Sequence, residues 1–323
     1  MRVLSLHMIL ALLCLLVMAG LSLFIGVADL DLGAVLRGDG GDDALILLVS
    51  RIPRTVAIIL TGVSMAISGL IFQMLTRNKF VEPSTTGTAE SAGLGLLIAV
   101  FFFPAAPLLA KMALAAGCAI AGTLLFLRIL DRLPPHEPLL VPLVGLMLGG
   151  VIGAVATFFA YQADLLQYLG IWTTGEFSGV LRGRYEILWL TGALALAGYL
   201  YADQFSILGI GRDAAITLGL NFRAVMWLGL LIVSVTTALV VVTVGAIPFL
   251  GLIVPNIVSR IMGDNLRAAV PWAASLGAGL LLFCDIIGRV IRQPYEIPIG
   301  TIFGVLGSAV FLYLLLGRKS HAV

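Results

Sequence analysis

Asp285 and Arg289 stand four residues apart in an otherwise apolar stretch, the spacing at which a helix brings a carboxylate and a guanidinium together. Two more arginines bracket a proline in Arg51-Ile52-Pro53-Arg54, at the start of another apolar run where proline is tolerated. Glu296 opens the last apolar run, and a carboxylate suits the positive end of a helix. Glu90 is the one acidic residue placed deep, and it reads as a satisfied polar group near a helix end. Ionisable groups at membrane depth are costly and mark function more often than elsewhere. These groups can pair and dock; they do not form a catalytic centre. His7, His136 and His321 are scattered. Cys14, Cys118 and Cys284 lie far apart without CxxC spacing and read as small core residues. No GxxxxGK[ST], HExxH or GxSxG pattern occurs. No catalytic residue and no metal ligand is assigned, and nothing here could hydrolyse a nucleotide.

The elements that must hold these groups are membrane helices. Sixty per cent of the 323 residues are hydrophobic and 11% are charged, against roughly 25% charged in a soluble domain. The mean hydropathy of +1.12 suits lipid, where every backbone polar group must be paired internally and only helices or closed barrels span. The runs lack the alternation of barrel strands. The spacing predicts ten spans, at 4–27, 55–75, 88–103, 108–130, 139–161, 186–203, 225–244, 246–262, 270–292 and 297–316. The third and eighth are short for a core of about 30 Å. The first apolar run exceeds a signal-peptide core and reads as a helix. Residues 1–323 thus form one transmembrane domain. The net charge of +2 lies at segment ends and indicates no nucleic-acid partner. Small residues recur at Gly62, Ser64, Ala66 and Gly69, and at Gly145, Gly149, Gly150 and Gly153, allowing close helix approach.

Two further stretches depart from plain anchoring. In residues 209–221 a short amphipathic helix is predicted, with Ala214, Ala215 and Leu218 at helical spacing and Gly219 stopping it. It reads either as a connector or as a knob for a cytoplasmic subunit. In residues 245–260, Pro248, Pro255, Gly245 and Gly251 interrupt an apolar segment, tolerable only where protein or water covers the exposed backbone. With a cytoplasmic N-terminus, eleven of the nineteen Lys and Arg fall on the cytoplasmic side and eight outside, so both termini are expected inside. The outer arginines are the anomaly.

Taken in order, RIPR (51–54), GVSMAISGLIFQ (62–73), RNKFVEP (77–83), RDAAITLGL (212–220), PFLGLIVPNIVSR (248–260), DIIGR (285–289) and EIPIG (296–300) resemble the FecCD family, from Arg51 to about Leu316. These are permease subunits of bacterial ABC importers for iron–siderophore complexes, haem and vitamin B12. The resemblance implies an all-α bundle of about ten transmembrane helices of the type II ABC importer kind, multi-pass in the bacterial cytoplasmic (inner) membrane. It implies that Arg51, Arg54 and Arg289 dock a substrate-binding protein through ion pairs at the outer face. It also implies that Arg212, Asp213, Ala214, Ala215, Leu218, Gly219 and Leu220 belong to a coupling helix on the ATPase. Residues 77–83 and 134–137 would form the cytoplasmic gate, with Asn78 and Phe80 as gate residues. Two ATPase subunits would bind ATP and Mg, so this chain carries no cofactor, and a second permease, identical or related, would complete the path. The family's usual Arg-Asn-Pro-Leu reads Arg77-Asn78-Lys79-Phe80 here, which with Glu82-Pro83-Ser84-Thr85 favours an iron–siderophore over vitamin B12; a vitamin B12 or haem importer is the alternative. A gradient-driven transporter would need a deep proton or sodium relay, and an intramembrane enzyme a nucleophile–base or metal pair; neither pattern is visible.

Overall fold

The computed structural model describes residues 2–26, 41–132, 140–263 and 265–316. The chain runs α1 (Arg2–Phe24), α2 (Gly41–Ile46), a π-turn (Leu47–Arg51) leading straight into α3 (Ile52–Thr76), a 3-10 turn (Pro83–Thr85), α4 (Thr88–Phe102), α5 (Leu108–Leu130), α6 (Leu140–Gln162), α7 (Leu166–Thr174), α8 (Leu188–Leu200), α9 (Ala202–Ile210), α10 (Arg212–Thr217), α11 (Phe222–Val244), α12 (Leu250–Met262), α13 (Leu266–Val290) and α14 (Ile299–Leu316). Among the described residues, six apolar helices are long enough to cross a membrane, and α8 with α9 makes a seventh span bent by 62°. α4, α12 and α14 are shorter apolar helices. Each of the ten expected spans therefore meets a helix, and the architecture is all-helical.

α3 is the hub. Eighteen of its 25 residues are buried, and α8, α11, α12 and α13 pack around it. The small residues read from the sequence make this possible, because packing rather than hydrophobicity drives association between helices in lipid. Gly62 of α3 lies against Gly277 and Ala278 of α13. Gly69 meets Gly251 of α12 so closely that a Cβ on residue 69 would stand 2.1 Å from the Gly251 carbonyl oxygen. That oxygen lacks its helical donor because residue 255, four ahead, is proline. Cys284 is buried, whereas Cys14 is exposed on α1 within an apolar span.

α4 and α12 are short for a physical reason. At 15 and 13 residues they extend only about 22 and 20 Å. Non-helical chain covers the remaining depth, residues 77–87 before α4 and residues 245–249 before α12. The first stretch leads in from the Arg77 end of the bundle and the second from the opposite, Arg51 end. Their backbones are satisfied inside the protein: the Ala246 N–H donates to Trp172 O at 2.8 Å, and Lys79 O accepts from Gln73 Nε2 at 3.1 Å and Asn256 Nδ2 at 2.7 Å.

Gly69→Ala is expected to force α3 and α12 apart and cost about 1–3 kcal/mol, whereas Gly117→Ala, with open space around residue 117, is expected to be neutral. Thermal unfolding of the detergent-solubilised protein compares the two.

Candidate functional site

At the Arg51 end three arginines and two carboxylates form a buried knot. α1 ends at Phe24 with carbonyls that have no helical partner, and two guanidiniums supply the missing donors. Arg51 Nη1 donates to Leu23 O and Phe24 O, both at 2.8 Å. Arg289 Nη1 donates to Ser22 O at 2.9 Å and Ile25 O at 2.5 Å. Cations at a helix C-terminus also oppose its dipole. Asp285 holds the centre, pairing with Arg289 across one helical turn, as its spacing predicts, and accepting from Arg54 Nη2 at 2.7 Å. Arg54 Nη1 reaches Glu296 Oε2 at 2.7 Å. Ser22 Oγ lies 3.2 Å from Thr55 Oγ1 and accepts from Arg289 Nη2 at 2.6 Å.

Two expectations are corrected here. Arg51 and Arg289 are only 7% and 5% exposed, so their guanidiniums do not offer exposed ion pairs; they turn inward because four carbonyls and a buried carboxylate attract them. Glu296 does not serve the dipole of α14, which begins at Ile299; Arg54 takes it instead. Among the described residues, exposed cations nearby are Arg182, Arg184 and Arg292, and the Arg182 N–H donates to Val49 O at 2.9 Å, fixing that loop beside the π-turn.

At the Arg77 end, Arg77 closes α3 in the left-handed conformation (φ 49°). Asn78 is buried, and its Oδ1 accepts the Phe80 N–H at 2.8 Å, a local turn that shapes the segment. The half-buried Phe80 ring meets Phe311 of α14 edge-on, with centroids 6.3 Å apart. Glu82 is fully buried, and its Oε1 accepts the Phe249 N–H at 2.6 Å and the Ser84 hydroxyl at 2.5 Å. The other gate stretch, 134–137, lies outside the described residues.

The predicted short helix is α10. Its end is a Schellman motif: Gly219 N–H to Ile216 O at 2.9 Å, Leu220 N–H to Ala215 O at 2.9 Å, and Gly219 at φ +79°. Ala215 is buried, whereas Arg212, Asp213, Ile216 and Leu218 face outward. Leu218 thus belongs to the exposed side and not to a stripe shared with Ala215. Arg212 lies over the Phe222 ring, 6.0 Å from its centroid. Glu90, expected to be satisfied, presses against Gly149 and has a buried Oε2 without a hydrogen-bond partner among the described residues.

Residues 12–317 match the FecCD transport family. The chain belongs to that family. It is 47% identical, over 95% of its length and 97% of the relative's, to the petrobactin import system permease protein YclN of Bacillus subtilis (strain 168). It is 42% identical, over 85% of its length and 88% of the relative's, to the ferric-anguibactin transport system permease protein FatD of Vibrio anguillarum. The fold matches an inward-facing conformation of a metal-chelate type ABC transporter with a TM-score of 0.78 over 97% of this chain and 99% of that one, at 22% identity. For this FecCD chain, sequence reasoning missed Glu82 as a contact to α12. The available signal was a lone acid between Val81 and Pro83.

Asp285→Ala is expected to cost about 3–5 kcal/mol, because it strands two buried guanidiniums. Glu296→Gln, at a carboxylate 25% exposed, should cost below about 1 kcal/mol. Unfolding midpoints in detergent measure both.

Proposed function

We propose that this chain is the membrane permease of an ATP-driven importer of iron–siderophore complexes. The observation that carries the proposal is near full-length similarity to permeases named for petrobactin and ferric-anguibactin. Vitamin B12 permeases also resemble the chain, at 35% identity for that of Citrobacter koseri, and the 47% and 42% identity of the petrobactin and ferric-anguibactin permeases favours the siderophore reading.

In this reading the chain lies in the bacterial cytoplasmic membrane with both termini inside, and the Arg51 end faces outward. A binding protein lands there. Arg51, Arg54 and Arg289 shape the landing surface from within by holding α1, α3, α13 and the Glu296 turn together, and Arg182, Arg184 and Arg292 meet its carboxylates. Exposed pairs of that kind add only ~0.2–1 kcal/mol each, and act mainly on docking rate and orientation. At the Arg77 end, α10 is the coupling helix, and its exposed Ile216 and Leu218 (54% and 64%) fit an apolar groove on an ATPase subunit. Asn78 and Phe80 belong to the gate. Two ATPases hold ATP and Mg, and a second permease chain completes the path.

Uptake of ferric petrobactin by proteoliposomes containing the permeases, ATPases and binding protein tests the substrate; uptake of cobalamin with none of the ferric siderophore would overturn it. Ile216→Asp with Leu218→Asp is expected to lower uptake at least tenfold and release the ATPase on gel filtration, with membrane levels unchanged.

A further inference from the structure

The two non-helical stretches inside the bundle, 77–87 and 245–249, lead in from opposite ends and meet at one contact, the Glu82 carboxylate on the Phe249 amide. Phe249 is not glycine, yet it holds φ +66°, a left-handed conformation that persists only where the surroundings enforce it. Its N–H sits at the start of α12, whose first amides have no helical acceptor. The Glu82 carboxylate supplies one. Its other oxygen, Oε2, lies against Gly251. A second clasp lies further along α12, where Asn256 Nδ2 donates to Lys79 O at 2.7 Å. The 77–87 segment is thus fastened to α12 twice.

α12 leads directly into α13, and the start of α13 is fastened in turn to α9. Leu266 N–H donates to Ser206 Oγ at 3.2 Å, and Arg267 pairs with Asp203 at 2.5 Å. α9 continues through Gly211 into α10. A contiguous set of bonded elements therefore runs from α10 to Phe80, and the Glu82 and Asn256 clasps are its last joints.

We propose that Glu82 is a positioning residue that makes α12 and the 77–87 segment move as one body, so that displacement of α10 reaches Phe80. This rests on the reading of α10 as the ATPase contact and of residues 77–83 as the gate. It adds the element that joins them.

The test uses the full transporter in proteoliposomes, with Cys14, Cys118 and Cys284 replaced by alanine and Val81→Cys as a reporter, since Val81 is fully buried. Glu82→Ala is expected to lower ferric siderophore uptake per assembled complex at least tenfold while ATP hydrolysis falls less than twofold. It is also expected to raise maleimide labelling at position 81 at least fivefold. Glu82→Gln keeps an acceptor for the Phe249 amide and should lie closer to the parent in both readouts. The proposal is overturned if Glu82→Ala matches the parent in uptake per complex and labelling, if it only reduces the amount assembled, or if Gln restores no more than Ala. Labelling and hydrolysis need no siderophore, so a parent complex that hydrolyses ATP but imports none would sink the substrate assignment and leave the joint still measurable.

Discussion

Backbone amides and carbonyls at membrane depth have no water to turn to, and each one left unpaired costs several kcal/mol. Most of this chain meets that constraint by being helical. Residues 77–87 and 245–249 do not, and the packing around them follows from the need to serve them. Gln73, Asn256, Trp172 and Glu82 each bond a backbone group in these stretches. Gly69 and Gly251 bring α3 and α12 close enough to leave no room for water between them. The short helices and the breaks are thus two sides of one arrangement, in which protein takes the place of solvent.

The Arg51 end meets the same constraint with charge. α1 terminates at the bundle edge, and its last carbonyls are met by Arg51 and Arg289. Burying two guanidiniums demands a counter-ion, and Asp285 provides it while Glu296 shares Arg54. Such a knot is poor evidence of net stability, since desolvation offsets most of the attraction. Its effect is to fix geometry: α1, α3, α13 and the turn before α14 can occupy only one mutual arrangement if all five charges are to be satisfied. A rigid end of the bundle is the result.

What the sequence made legible was local. The ten spans, the amphipathic α10 with its Gly219 stop, and the Asp285–Arg289 pair all depend on residues within a turn or two of each other. What it hid was distant. Arg54 meets Asp285 across 231 positions and Glu296 across 242, and Glu82 meets Phe249 across 167. No periodicity reports such partners, so the arginines could be read as outward-facing and Glu296 as a helix cap. The family resemblance marked both ends of the bundle as functional, but it did not reveal which side chains there are occupied by the fold itself. Leu218 shows the same limit at small scale: spacing placed it with Ala215, but at the end of α10 it stands exposed while Ala215 is buried.

The short helices bear on how the protein is made. A segment of about 20 Å does not match the hydrocarbon thickness of about 30 Å, so neither α4 nor α12 is a stable passenger of the bilayer alone. α12 packs along the flank of α3, which is synthesised before it, whereas α4 packs on α5, α6 and α11, which all follow it. Co-translational insertion therefore delivers the scaffold first for α12, while α4 waits for its neighbours. A circular permutant that opened the chain after α3, moving it to the C-terminus, would ask the insertion machinery to release α12 before the helix it packs along exists.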